Sequence, residues 1–275
     1  MNVAVLVLDS VTKLPREADG AVVVGGSHGA VYAAHLSAKA GVRAAIHHDA
    51  GIGLDEAGVS GLGYAESLGM AMVALATESC RIGDGRDQYE RGLVSRVNAP
   101  AALCGVTIGM TCRDAVELLK AAHWPHRPPA PKGEDRHLVG DIVCVDSASL
   151  LLPEDKDRVV ATGSHAALNS GHATAPARPR LIFFNDAGPG IDDGGILGLS
   201  VLEEAGVAGV AVAARSARIG DGRSTLQDGT ISAFNHTAYR LGARAGRSAL
   251  ALARAVAEKA GRKEREEHRE WPSST

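Results

Sequence analysis

The sequence predicts an α/β protein made as a tandem duplication of a βαβ-type unit, with mostly parallel sheets and the two copies packed as an intramolecular pseudo-dimer. Three observations carry this reading. "RIGDGR" occurs at 81–86 and again at 218–223, 137 residues later. The same offset aligns "VLVLDS" with "IVCVDS", "GSHGA" with "GSHAA" and "HDAGIGLDEAG" with "NDAGPGIDDGG", without a gap from about residue 5 to about residue 109. Within each copy, short apolar runs alternate with helix-like stretches, the signature of βαβ units.

The elements of the first copy follow in order. Residues 3–8 form an apolar run that ends at Asp9, and 21–25 form a second strand. The alanine-rich stretch 30–40 reads as a helix, 42–47 as a third strand and 56–68 as a helix closed by Gly69. Residues 70–77 give a fourth strand, and a long helix over 99–122 closes the unit. Strands are expected in the second copy at 142–145, 158–162, 181–184 and 207–214. The organisation is then a first repeat over 1–120, a proline-rich linker over 121–138, a second repeat over 139–258 and a charged, flexible tail over 259–275.

Bulk composition narrows the function. The chain has 275 residues, 45% hydrophobic and 22% charged, with a net charge of −3, so nothing marks a polyanion partner. Only 3% of residues are aromatic, which leaves little for base stacking, and nucleic acid is not an expected partner. No apolar run reaches the roughly 20 residues of a membrane span, so no membrane partner is expected either. Cys80, Cys104, Cys112 and Cys144 form no CxxC pair, which suits reduced thiols in a cytoplasm. The expected partner is a small-molecule ligand, with assembly into a homo-oligomer left open.

Four polar motifs each follow a strand: "DS", "GSH", "DAG" and "SxRIGDGR". In a parallel sheet the carboxyl ends share one edge, where α/β folds bind ligands. In "GSHG" and "GSHA", Ser27 or His28 is expected to start the following helix, with Ser27 capping it. His28 and His165 are the candidate proton-transfer groups, because imidazole titrates near neutrality. His35, two helical turns beyond His28 and matched by His172 in the second copy, reads as a packed histidine. Asp49 and Asp186 are placed to fix the histidine tautomer, as in a catalytic triad, with an Asx-turn as the plainer reading. Asp55-Glu56 and Asp192-Asp193 read as helix caps, since the glycine spacing does not match a dinucleotide loop.

In RIGDGR, Arg81 and Arg218 are candidate anchors for a substrate oxygen, with Asp84 and Asp221 positioning them and Arg86 and Arg223 completing the loop. A salt-bridged turn is the alternative. Ser10, Ser27 and Ser79, their twins Ser147, Ser164 and Ser216, and the pair Asn98 and Asn235 complete the candidate binding set. No GxSxG elbow marks a nucleophile. Cys80 has Ala217 as its twin, so chemistry common to both copies does not rest on it. No cofactor is expected. A divalent metal held by His28, Asp49, Asp55 and Asp84 is the rival to metal-free chemistry.

"VVVGGSHG" and "IHHDAG" give a layout that resembles the caspase-like fold, in which a His-Gly loop and an Asp-Ala-Cys loop end adjacent strands. The cysteine position is Gly51 here and Gly188 in the second copy. The resemblance therefore bears on strand order and implies no protease activity. The expected function is that of a small-molecule enzyme, a hydrolase acting on an anionic or cyclic-amide-like substrate. The alternative is a non-catalytic, small-anion-binding regulatory protein. Because Asn185 replaces His48 and Ala166 replaces Gly29, the two sites need not be equivalent.

Overall fold

A computed structural model describes residues 3–126 and 128–270, with side chains as far as Gly261. The first half runs β1 (Val5–Leu8), β2 (Val22–His28), α1 (Val31–Lys39), β3 (Ala44–His48), α2 (Gly61–Ser67), β4 (Ala71–Leu75), α3 (Gly85–Arg91), β5 (Val94–Val97), α4 (Ala99–Leu103) and α5 (Cys112–Leu119). The second half runs β6 (Arg136–Val139), β7 (Ile142–Val145), β8 (Val159–His165), α6 (Leu168–Thr174), β9 (Leu181–Asn185), α7 (Gly198–Glu204), β10 (Ala208–Val212), α8 (Gly222–Gln227), β11 (Ile231–Phe234), α9 (His236–Arg240) and α10 (Ala249–Glu270). Strands lie in sequence order in both sheets, one of five strands and one of six. The central pairs are parallel, and β5, β6 and β11 join antiparallel at the edges.

Period-two alternation sends successive side chains to opposite faces of each sheet, and here both faces are buried. Val22, Val24, Ile46, Val73 and Leu75 pack against Cys112, Val116 and Leu119 of α5. Val23, Ala45 and Met72 face the other way, onto Ala34 of α1 and Ala65 of α2. The second half repeats the layering. Leu181, Phe183 and Val210 meet Leu226 and Leu252, while Ile182 and Phe184 meet Leu199 and Leu202. This explains why the strands read as continuous apolar runs rather than as half-polar ones.

Several local expectations are corrected. Ser27 and His28 do not begin a helix: they end β2, and Ala30 precedes α1 without a side-chain cap. The long helix over 99–122 is two short ones. Gly105, at φ +89°, stops the chain after α4, and Thr111 caps a fresh start at α5. The end of the linker begins β6, which pairs with β7. Asp55, Glu56, Asp192 and Asp193 cap nothing: they sit at positive φ within the short helices Leu54–Val59 and Ile191–Asp193, whose cap positions are Gly53 and Gly190. The tail is helical as far as Glu270 in α10, and residues 271–275 lie outside the described residues.

The halves meet through the loops at the carboxyl ends of their strands. Ala50, Ala57 and Ile82 of the first half and Ala167, Ala187 and Ile219 of the second form one buried apolar cluster. Gly51 and Gly188 face each other so closely that a Cβ on Gly51 would stand 2.9 Å from the Gly188 Cα. Thr77 Oγ1 donates to the Gly188 carbonyl at 2.9 Å, and Ile191 N–H donates to the Thr77 carbonyl at 3.0 Å.

Candidate functional site

Beside this junction lies a cavity of about 940 Å³ into which both halves project the same residue types. Ser10, Ser27 and His28 line one side, and their twins Ser147, Ser164 and His165 line the other. The Ser-His pairs are presented the same way in each half. Register between β2 and β3 slips between Val24 and His28, and register between β8 and β9 slips between Ala161 and His165. Such irregularities re-aim side chains at a sheet's end.

Hydrogen bonding determines how the two imidazoles are protonated. Ala30 N–H donates to His28 Nδ1 at 3.4 Å, and Ala167 N–H donates to His165 Nδ1 at 3.3 Å. A backbone N–H needs a lone pair, so each neutral ring carries its proton on Nε2. Neither Nε2 has a hydrogen-bond partner among the described residues. Burial pushes His28 down to about 4, with His47 and His48 adding repulsion. Burial likewise pushes His165 down to about 3, with His28 and His48 disfavouring its charge further. Both rings are therefore neutral N–H donors at pH 7.

The hydroxyls around them are also arranged in matched sets. Ser27 Oγ accepts from Val11 N–H at 3.1 Å and Ser164 Oγ accepts from Ala148 N–H at 2.9 Å, which leaves each O–H to donate. Ser10 and Thr12 lie 2.8 Å apart through their hydroxyls, as do Ser147 and Ser149.

The remaining candidates lie elsewhere or are occupied. Asp49 Oδ1 accepts from the Gly51 and Thr77 amides at 3.0 and 3.1 Å; Asp186 Oδ1 accepts from Gly188 and Ala214 at 2.9 and 2.8 Å. These carboxylates shape the crossing loops, and neither lines the cavity. Ser79 and Ser216 each bridge a strand-end carbonyl and the amide that leads into the antiparallel strand. Asn98 accepts from Met72 and Ala101 and donates to Met70 and Leu62; Asn235 repeats this with Gly209, Ala238, Val207 and Leu199. Both amides tie the fold together.

RIGDGR has several structural duties. Asp84 caps α3 and Asp221 caps α8. The isoleucines enter the inter-half cluster. Arg81 bonds Asp84 at 3.2 Å and Asp87 at 3.3 Å and reaches Asp192 of the other half at 3.7 Å. Arg218 pairs with Asp55 of the first half. Of these residues Arg218 and Asp221 border the cavity, whereas Arg81 and Asp84 do not. Arg86 pairs with Glu90 on the surface, and Arg223 contacts His137.

His48 and Asn185 prove equivalent. His48 accepts from Ala50 N–H and donates to the Cys80 carbonyl, both at 3.0 Å; Asn185 accepts from Ala187 N–H at 2.9 Å and donates to the Ala217 carbonyl at 3.0 Å. His35 is packed, stacked on Tyr32 and bonded to the Tyr64 hydroxyl at 3.0 Å.

Sequence reasoning missed the linker's contribution. Lys132, Gly133, Glu134 and Asp135 border the cavity, held there by Asp135 N–H on Asp146 Oδ2 at 2.9 Å. Burial, with Asp146 nearby, pushes Glu134 up to about 7. Tyr32 on α1, also in the wall, is raised by burial and by Glu134. Glu134 precedes the second repeat and has no twin, so no repeat pattern marks it. The charged side chains of the wall are Asp9, Asp55, Glu134, Asp135, Asp146 and Asp221 against Lys13, Lys132 and Arg218, a clear carboxylate excess. Among the described residues no group of three or more His, Cys, Asp or Glu is arranged to hold a metal ion. Comparison with protein-family models, curated proteins and solved structures finds no match to this chain.

Proposed function

We propose that the chain is a small-molecule enzyme that hydrolyses a polar, carbonyl-bearing substrate of the cyclic-amide kind. The observation that carries this reading is the convergence of Ser27–His28 and Ser164–His165 on one cavity, each histidine offering an unpartnered Nε2–H. The carboxylate excess in the wall favours a neutral substrate over the anionic one that the sequence also suggested.

Because both rings already carry a proton on Nε2, they act as electrophilic donors, not as bases. Neutral imidazole N–H groups aimed at a carbonyl oxygen stabilise the oxyanion that forms when its carbon is attacked. Glu134, held near neutrality, takes the basic role. In this scheme water adds to the carbonyl carbon and gives a proton to the Glu134 carboxylate. The C–N bond of the tetrahedral adduct then breaks, and protonated Glu134 returns the proton to the leaving nitrogen. No side-chain nucleophile is needed.

The test is base consumption in a pH-stat with dihydrouracil, hydantoin and succinimide. Ring opening of at least one is expected, with loss of turnover in the His28→Ala/His165→Ala double variant. Turnover of none, or turnover that survives the double substitution, overturns the reading. Binding without turnover is the second reading. It is favoured by the same tautomers, because two donor-only imidazoles suit recognition as well as catalysis. Saturable binding without any product would select it.

A further inference from the structure

The cavity has an internal two-fold relationship that its chemistry repeats. On each side a histidine offers Nε2–H, a serine offers O–H and a second hydroxyl pair lies close by. The two sides are not separate clefts. His28 Cε1 comes within 3.6 Å of where a Cβ on Gly220 would stand, so the first half's histidine reaches the second half's RIGDGR loop. Asn169 Nδ2, from the second half, donates to the Asp9 carbonyl of the first at 3.3 Å.

We propose that the cavity takes one ligand that spans the two halves and carries two carbonyl acceptors, one for Ser27–His28 and one for Ser164–His165, as in a cyclic imide. This rests on the carbonyl-substrate reading above and narrows it. A ligand with one acceptor pairs with only one of the two imidazole N–H groups, and sites built to hydrogen-bond a group discriminate against analogues that lack it. The N–H between the two carbonyls of an imide suits a wall rich in carboxylates, which Asp9, Glu134 and Asp146 line.

Titration calorimetry on the full chain decides it, with succinimide and 2-pyrrolidinone as probes, rings of equal size that differ by one carbonyl. The expected result is one succinimide per chain, bound about tenfold or more tightly than 2-pyrrolidinone. His28→Ala and His165→Ala should each abolish that preference. His28→Gln and His165→Gln, which restore an N–H donor, should recover part of it and serve if an alanine variant does not fold. Two molecules bound per chain, equal affinity for the two probes, or dependence on only one histidine overturns the two-ended ligand and leaves the carbonyl reading in place. Failure of both probes to bind overturns both.

Discussion

Gly51→Ala tests how the halves are joined. Gly51 has φ +66°, and a Cβ there would lie 2.9 Å from the Gly188 Cα, 3.2 Å from its nitrogen and 3.3 Å from the Ala187 carbonyl oxygen. All three atoms are backbone of the opposing loop, and no side chain can swing away. The left-handed conformation alone costs an L-residue about 1–2 kcal/mol. Forcing a methyl into a filled contact adds about 1–3 kcal/mol. A total near 3 kcal/mol corresponds to a Tm lower by about 6–12 °C for a chain of this size. Gly63→Ala is the control: Gly63 lies in α2 at ordinary helical geometry with nothing within 4 Å of a new Cβ. It should be neutral or stabilising by up to about 1 kcal/mol. Thermal and urea unfolding of both variants supply the measurement. A Gly51→Ala protein as stable as the parent would refute the close crossing of the two loops.

Other consequences follow from the same contacts. His48→Asn should leave stability nearly unchanged, because Asn185 already makes the equivalent bonds, whereas His48→Ala should cost about 1–3 kcal/mol by stranding a buried amide and carbonyl; equal losses in urea titrations would contradict the equivalence. Asp49→Asn should be tolerated and Asp49→Ala should not, since the Oδ1 atom only accepts from two amides; a large loss with asparagine would point to a role for the charge. Acid should destabilise the protein through His28, His47 and His165. Their folded values of about 4, 4 and 3 lie below the unfolded 6.5, so their stabilisation is complete above pH 6.5 and is lost as pH falls toward 4. Glu134 works in the opposite sense, losing its contribution as pH rises from 4.5 through 7. Histidine-to-glutamine variants with a flatter acid limb would confirm the sign, and an unchanged limb would contradict it.

The repeat made the architecture readable, because 137-residue periodicity maps every strand-end motif onto a twin. The inner strands β2–β4 and β7–β10 were legible for a physical reason: strands buried on both faces become continuous apolar runs. The edge strands β5 and β11 were not, since "VSRV" and "ISAF" are four residues long and only partly buried. Asp84 and Asp221 carried a readable signal as N-caps that an attractive ligand-binding reading of RIGDGR obscured. The pairing of Arg81 with Asp192 and of Arg218 with Asp55 depends on how two halves dock, which no local pattern encodes. Glu134 was hidden because prolines and charges in a linker signal solvent exposure, while its burial depends on a cavity formed by other segments.

That both repeats build a single cavity is most directly tested by ¹⁵N NMR of histidine-labelled protein at pH 7 during a succinimide titration. His28 and His165 are expected to be both neutral, both protonated on Nε2, and both shifting along one saturation curve. A ring charged at pH 7, a proton on Nδ1, or one histidine that does not respond would contradict it.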